Sequence, residues 1–409
     1  MAAVLEGVRV LELAGEPGEL CGKLLAGMGA DVLKVEPPGG CETRSIGPFY
    51  RDEPHPDRSL HFWHHNVNKR GVTCNLETLE GRELFQRLVR DADVVIETFE
   101  PGYLDSLGLG YAGLSAIAPG LVLTSITPFG QTGPFAHWKG SDLIGLATGG
   151  TLNVCGYEDH SIPPIRGDGN QAYNTACVEA AVGAMAALIH AQATGLGQQV
   201  DVSVQDCMAV TVEFQNLKWM YSRKQVLRQA GRHAREVITM PSTLTASDGT
   251  HILWSFRLDD QKTWQAFVDW SKESDYAPEL ASEEYMDPHF RLENAEMLIE
   301  LVHGFIATKT AREAFEEGQR YDQWIAPINA PEDLVDDPQF VARDFYRQVE
   351  HPELGESFAY TGAPWLFHAS PWRTEFRAPL LGEHNRDVYG GELGLGDDEI
   401  AAYAKAGVI

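Results

Sequence analysis

Cysteine is scarce and scattered in this 409-residue chain: six residues (Cys21, Cys41, Cys74, Cys155, Cys177, Cys207) with no C-x-x-C pair. That spacing excludes a disulfide frame and the common zinc modules, and it suits reduced thiols in a cytoplasm. Basic residues are also few, 32 Lys and Arg against 59 Asp and Glu, for a net charge of −27. Such a balance points away from nucleic acid and anionic membrane as partners. A polyanionic ligand would need a local basic patch. No stretch of about 18 uninterrupted apolar residues offers a membrane span, and the N-terminal MAAVLEGVRVLEL has no basic segment leading into a long apolar run. The protein is therefore expected to be cytoplasmic.

What remains is ordinary for a globular protein, with 44% apolar and 22% charged residues. The length suits two or three domains, since single cores stop growing near about 250–300 residues. Strand, helix and strand alternate from the start. Val8–Leu13 reads as a strand, Leu20–Met28 as a helix and Asp31–Val35 as a strand. Gly71–Asn75, a helix Leu79–Asp91 capped by Thr78, Val94–Glu97 and Leu121–Ile126 continue the pattern, which builds a parallel sheet. The most apolar stretch, Ala176–Ala193, predicts a buried core helix. Gly195 and Gly197 stop it, and Val200, Val202 and Val204 alternate as a further strand. Beyond it Ser247-Asp248-Gly249-Thr250 marks a hairpin, and helices over Asp259–Lys272 and Asn294–Ala307 flank an acidic loop. The expected class is α/β with a smaller domain inserted before the tail.

Several segments in order carry a resemblance. They are Leu5–Glu12, Met28–Gly39, Asn68-Lys69-Arg70, Phe99-Glu100-Pro101-Gly102, Phe129–Pro134, Thr194–Gln198 and Leu381–His384. Together they resemble the family III CoA-transferases, which include formyl-CoA and carnitine CoA-transferases and the α-methylacyl-CoA racemases. The resemblance implies a Rossmann-like large domain built from both chain ends, a smaller inserted domain, with divisions at 1–224, 225–325 and 326–409, and two interlocked subunits. It implies acyl-CoA and a small carboxylic acid as substrates, and no metal. Lys139, Cys74, Thr98 and Phe99 fall on positions that bind CoA in such enzymes. Glu77 and Ser106 replace basic residues there, which weakens attraction for phosphates.

Relatives of this kind attack the thioester with an aspartate, a case of nucleophilic catalysis. Counting back without a gap from the Thr194-Gly195-Leu196-Gly197-Gln198 turn, that position is Tyr173. A phenol with a pKa near 10 is mostly protonated at neutral pH and forms no anhydride. Asp168, in Arg166-Gly167-Asp168-Gly169, is a candidate substitute if the helix start were rebuilt; beside glycine it also suits a loop or cap. The turn Gly15-Glu16-Pro17-Gly18-Glu19 puts two carboxylates near the expected acyl site. Racemases of the family carry Gly-His-Asp where Gly140-Ser141-Asp142 stands, and serine is no base near neutral pH. His64 and His65, beside Trp63, suit packing or capping.

Three functions stay open: a heteromeric CoA-transferase subunit without the nucleophile, a self-sufficient transferase using Asp168, and a non-catalytic acyl-CoA-binding protein. Succinyl-CoA:benzylsuccinate CoA-transferase, an enzyme of aromatic degradation, is similar to the first in having two related subunits.

Overall fold

The computed structural model describes residues 2–232, 234 and 241–409. Two compact units emerge, one of residues 1–151, 167–213 and 338–409, the other of 152–166 and 214–337. The first unit thus draws on both ends of the chain.

Its centre is a six-stranded sheet of β1 (Arg9–Glu12), β2 (Asp31–Glu36), β3 (Arg70–Thr73), β4 (Val94–Glu97), β5 (Val122–Thr127) and β6 (Gln199–Ser203). The order is β3-β2-β1-β4-β5-β6 and every pairing is parallel. Such strands are covered on both faces, which is why β4 and β5 are buried along their whole length. The helices between them are α1 (Glu19–Gly27), α2 (Leu60–Asn66), α3 (Leu79–Val89), α4 (Tyr103–Ser106), α5 (Tyr111–Ile117) and α6 (Asp142–Thr148). As the sequence predicts, Thr78 caps α3, its hydroxyl accepting from the Gly81 N–H at 3.0 Å.

The long helix α7 (Gln171–Thr194) ends at Gly195, which takes φ +77, a value that favours glycine. Its Ala-rich side, with Ala176, Ala180, Ala184 and Ala187, packs against α1 and β5. By length and composition alone it would suit a bilayer. The expectation of burial on all sides is corrected: Val178, Val182 and Ile189 form an exposed stripe in the single chain. An apolar composition all round does not say which side of a helix its own sheet covers. Helix α8 (Val204–Thr211) follows β6 directly, with Ser203 as its cap.

The closing part of this unit, from Pro338, contains α14 (Pro338–Ala342), the antiparallel pair β10 (Tyr346–His351) and β11 (Glu356–Thr361), and α15 (Asp397–Lys405). Polar ties bind it to the sheet. The Tyr389 hydroxyl donates to the Thr73 carbonyl at 2.7 Å, and the His384 N–H to the Gly71 carbonyl at 3.0 Å.

The second unit has its own three-stranded antiparallel sheet, β7 (Thr243–Thr245), β8 (His251–Trp254) and β9 (Ile325–Pro327), in that order. The expected hairpin is the β7–β8 pair, turning at Gly249 with φ +83. Helices α9 (Glu213–Ser222), α10 (Gln261–Glu273), α11 (Pro288–Glu293), α12 (Ala295–Ile306) and α13 (Ala311–Arg320) complete it. Trp254, Trp264, Trp270, Phe267 and Phe305 fill its core with edge-to-face ring pairs. The divisions differ from 224/225 and 325/326. Residues 152–166 join this unit because the buried Arg228 guanidinium donates to the carbonyls of Tyr157 and Ile162, at 3.1 and 2.5 Å. No hydrophobic period marks such a loop.

Candidate active site

The sheet reverses direction of winding at β1, whose neighbours are β2 and β4, so the loops leaving β1 and β4 diverge over their carboxyl ends. The Gly15 N–H donates to Thr98 Oγ1 at 2.8 Å and holds the two loops together. A Cβ at Gly18 would lie 2.6 Å from Thr98 Cγ2, which requires glycine at that approach. The Cys177 thiol donates to the Pro17 carbonyl at 3.1 Å and brings the first turns of α7 against the same loop.

The start of α7 is built by three side chains. Ser141 caps α6 by accepting from the Ile144 N–H at 3.3 Å, a structural role that explains a hydroxyl where racemases have a base. Asp142, next in line, accepts from the Ala172 and Tyr173 N–H groups at 2.7 and 3.2 Å, satisfying two of the donors a helix start leaves unpaired. The Asn170 side-chain amide donates to Glu16 Oε1 at 2.7 Å. Tyr173 is buried between these carboxylates. Burial, then the charges of Glu16 and Asp142, push its phenol up to about 12. It is a neutral hydroxyl at pH 7.

Asp168 stands in the exposed loop before the helix, its carbonyl accepting from the Gln171 side chain at 3.0 Å. The half-buried carboxylate beside Tyr173 is that of Glu16, not Asp168. Glu97, which sequence reasoning missed, ends β4 with its carboxyl buried. It accepts from the Phe99 N–H at 2.7 Å, and burial, with help from Asp105 and Asp201, raises it to about 7.

The positions assigned to CoA are dispersed. Cys74 is buried in the core, its thiol donating to the Gly81 carbonyl at 3.2 Å and pushed up to about 12 by burial. Thr98 is engaged with Gly15 as described. Phe99 packs against Tyr103 with centroids 4.7 Å apart and the rings tilted by 41°. Lys139 is exposed and paired with Glu100. Glu77 accepts from the Tyr103 hydroxyl at 2.5 Å, while Ser106 donates to the Tyr103 carbonyl at 2.7 Å.

Beneath this surface lies a buried charge network. Lys34 Nζ is 3.1 Å from Glu12 and 2.7 Å from Glu19, and Lys69 Nζ is 2.7 Å from Glu12. Burial opposes the Glu19 charge, but Lys34, Lys69 and the Thr43 hydroxyl bring its carboxyl down to about 2. Gly22 passes so close that a Cβ would fall 1.6 Å from Glu12 Oε2. Arg44 grips Glu36 through two bonds of 2.6 and 2.8 Å. The conspicuous sequence pair His64–His65 conceals a closer grouping of His65 with His61, four residues earlier, centroids 4.3 Å apart. The H-x-x-x-H spacing was the available signal.

Known proteins match along most of this length. The family model "CoA-transferase family III" matches residues 5–385. The chain is 35% identical to succinyl-CoA:(R)-benzylsuccinate CoA-transferase subunit BbsE of Thauera aromatica, over 93% of this chain and 92% of that one. It is 34% identical to formyl-CoA:oxalate CoA-transferase of Streptomyces avermitilis, over 100% of both. A crystal structure of a CAIB/BAIF family protein from Brucella suis is similar with a TM-score of 0.82 and 30% identity, covering 96% of this chain and 100% of that one. The chain belongs to the family III CoA-transferases, enzymes that move CoA between an acyl-CoA and a carboxylic acid.

Proposed function

We propose that this chain is the subunit of a heteromeric, cytoplasmic CoA-transferase that does not supply the nucleophile. A related chain carrying the aspartate is its partner, in an interlocked assembly. One observation carries the reading. At the position where the resemblance expects an aspartate, the chain has Tyr173, a buried phenol held at about 12 between two carboxylates. It neither ionises near neutral pH nor leaves as a carboxylate would, so the anhydride step has no starting group there. The exposed stripe Val178, Val182 and Ile189 on the same helix supports a partner surface. That BbsE is named as a subunit supports the heteromeric form and a succinyl-CoA:benzylsuccinate type of reaction.

A second reading has a specific observation of its own. Glu16, hydrogen-bonded to Asn170 beside Tyr173, is a carboxylate that attacks the thioester in a self-sufficient enzyme. It replaces Asp168, which is exposed on its loop, as the group on which that alternative rests. The experiment is CoA exchange between acyl-CoAs and their free acids by the purified chain. Silence alone, with activity on adding the related chain, supports the subunit. Exchange by the chain alone that is lost in Glu16→Gln supports the second reading.

A further inference from the structure

We propose that Glu19, His61 and His65 form a binding site for one divalent transition-metal ion, with zinc the best-suited ion. Ser59 caps α2 by accepting from the Phe62 N–H at 3.1 Å, which sets the helix so that His61 and His65 share a face. Glu19 opens α1 and reaches the same point. One ligand atom from each of the three lies within 4.8 Å of the other two, the sole such group among the described residues.

Two further features point to a ligand. Glu19 is fully buried and its Oε1 is engaged by Lys34 and Thr43, each at 2.7 Å, while its Oε2 has no hydrogen-bond partner. His61 Nε2 is likewise buried without one. Buried polar atoms are rarely left so, and a single cation between them satisfies both. His65 Nδ1 lies 2.9 Å from the His61 carbonyl, to which it donates. That bond keeps the proton on Nδ1 and leaves Nε2 with the electron pair a metal takes, the usual support for a ligating imidazole.

The donor set is two imidazoles and one carboxylate, with a fourth position open. Zinc accepts this set, whereas calcium and magnesium require more oxygens. The nearby ammonium groups of Lys34 and Lys69 oppose a dication, but both are already matched by Glu12 and Glu19. His64 stands outside the group, its Nε2 3.3 Å from Lys23 Nζ.

The full chain, stripped of metal and titrated with Zn²⁺ by calorimetry with elemental analysis after dialysis, is expected to hold one ion. Co²⁺ in its place gives d–d absorption bands. His61→Ala and His65→Gln each weaken zinc at least tenfold with an unchanged circular dichroism spectrum, and His64→Ala retains it. Glu19→Gln also strips Lys34 of a partner, so the histidine variants carry the test. No zinc at micromolar concentration, as when a water bridges these atoms, or stoichiometric zinc surviving in both the His61 and His65 variants, overturns the site.

Discussion

At the scale of single residues, the site is defined by an exchange of chemical character. Tyr173 offers a neutral hydroxyl and Glu16 a carboxylate beside it. On the proposed reading Tyr173 is a bystander, so Tyr173→Phe in the assembled enzyme should leave the transfer rate within about twofold; steady-state rates with matched folding by circular dichroism check this. Glu97 has a folded pKa near 7 against 4.5 for the free group. Its contribution is fully present below pH 4.5 and is lost as pH rises through 7, about 3 kcal/mol in all. Urea denaturation at pH 5 and pH 8 should show wild type losing most of that amount, about 2.5 kcal/mol, relative to Glu97→Gln. Lys69→Met strips a buried carboxylate of its closest cation and should cost about 3 kcal/mol in the same assay.

Tyr173 was legible in the sequence because a fixed count from a glycine turn needs no structure. Glu16 was legible as a carboxylate near the site. Its bond to Asn170, the capping role of Asp142 and the elevated Glu97 were not, since each depends on residues far apart in the chain meeting in space. Burial, which sets the titration of Glu97 and Tyr173, has no local sequence mark.

At the scale of elements, caps and alternation revealed most of the sheet. Strand ends moved by one or two residues, and Thr78, Gly195 and Gly249 acted where their conformations demand. Helix α2 escaped notice: seven residues with three histidines carry too few apolar positions to show a helical period. Helix α7 was legible as a helix but not in its surroundings, because its apolar residues run all round and do not say which side meets its own sheet. The exposed stripe gives an expected outcome. If the proposed partner covers this stripe, Val182→Glu should leave the chain folded but shift the assembly to a smaller species in light scattering after gel filtration, because the contact would then bury an unpaired charge.

At the scale of the whole molecule, a parallel sheet with its winding reversal at β1 and β4 collects the Glu16 loop, Thr98 and the start of α7 at one edge. The strongly acidic chain commits Lys34, Lys69 and Arg44 to internal carboxylates, and on the surface Lys139 is paired with Glu100. The two units were foreseeable from the change in composition after α8, but not the membership of residues 152–166, which Arg228, far along the chain, ties to the second unit.

The most direct test locates the covalent intermediate. The assembled enzyme, incubated with acyl-CoA and quenched, is digested and searched by mass spectrometry for a peptide carrying CoA or acyl mass on a carboxylate. The prediction is an adduct on the aspartate of the partner chain and none on this one. An adduct on the peptide containing Glu16, or on that containing Asp168, would contradict it and make this chain the nucleophile's source.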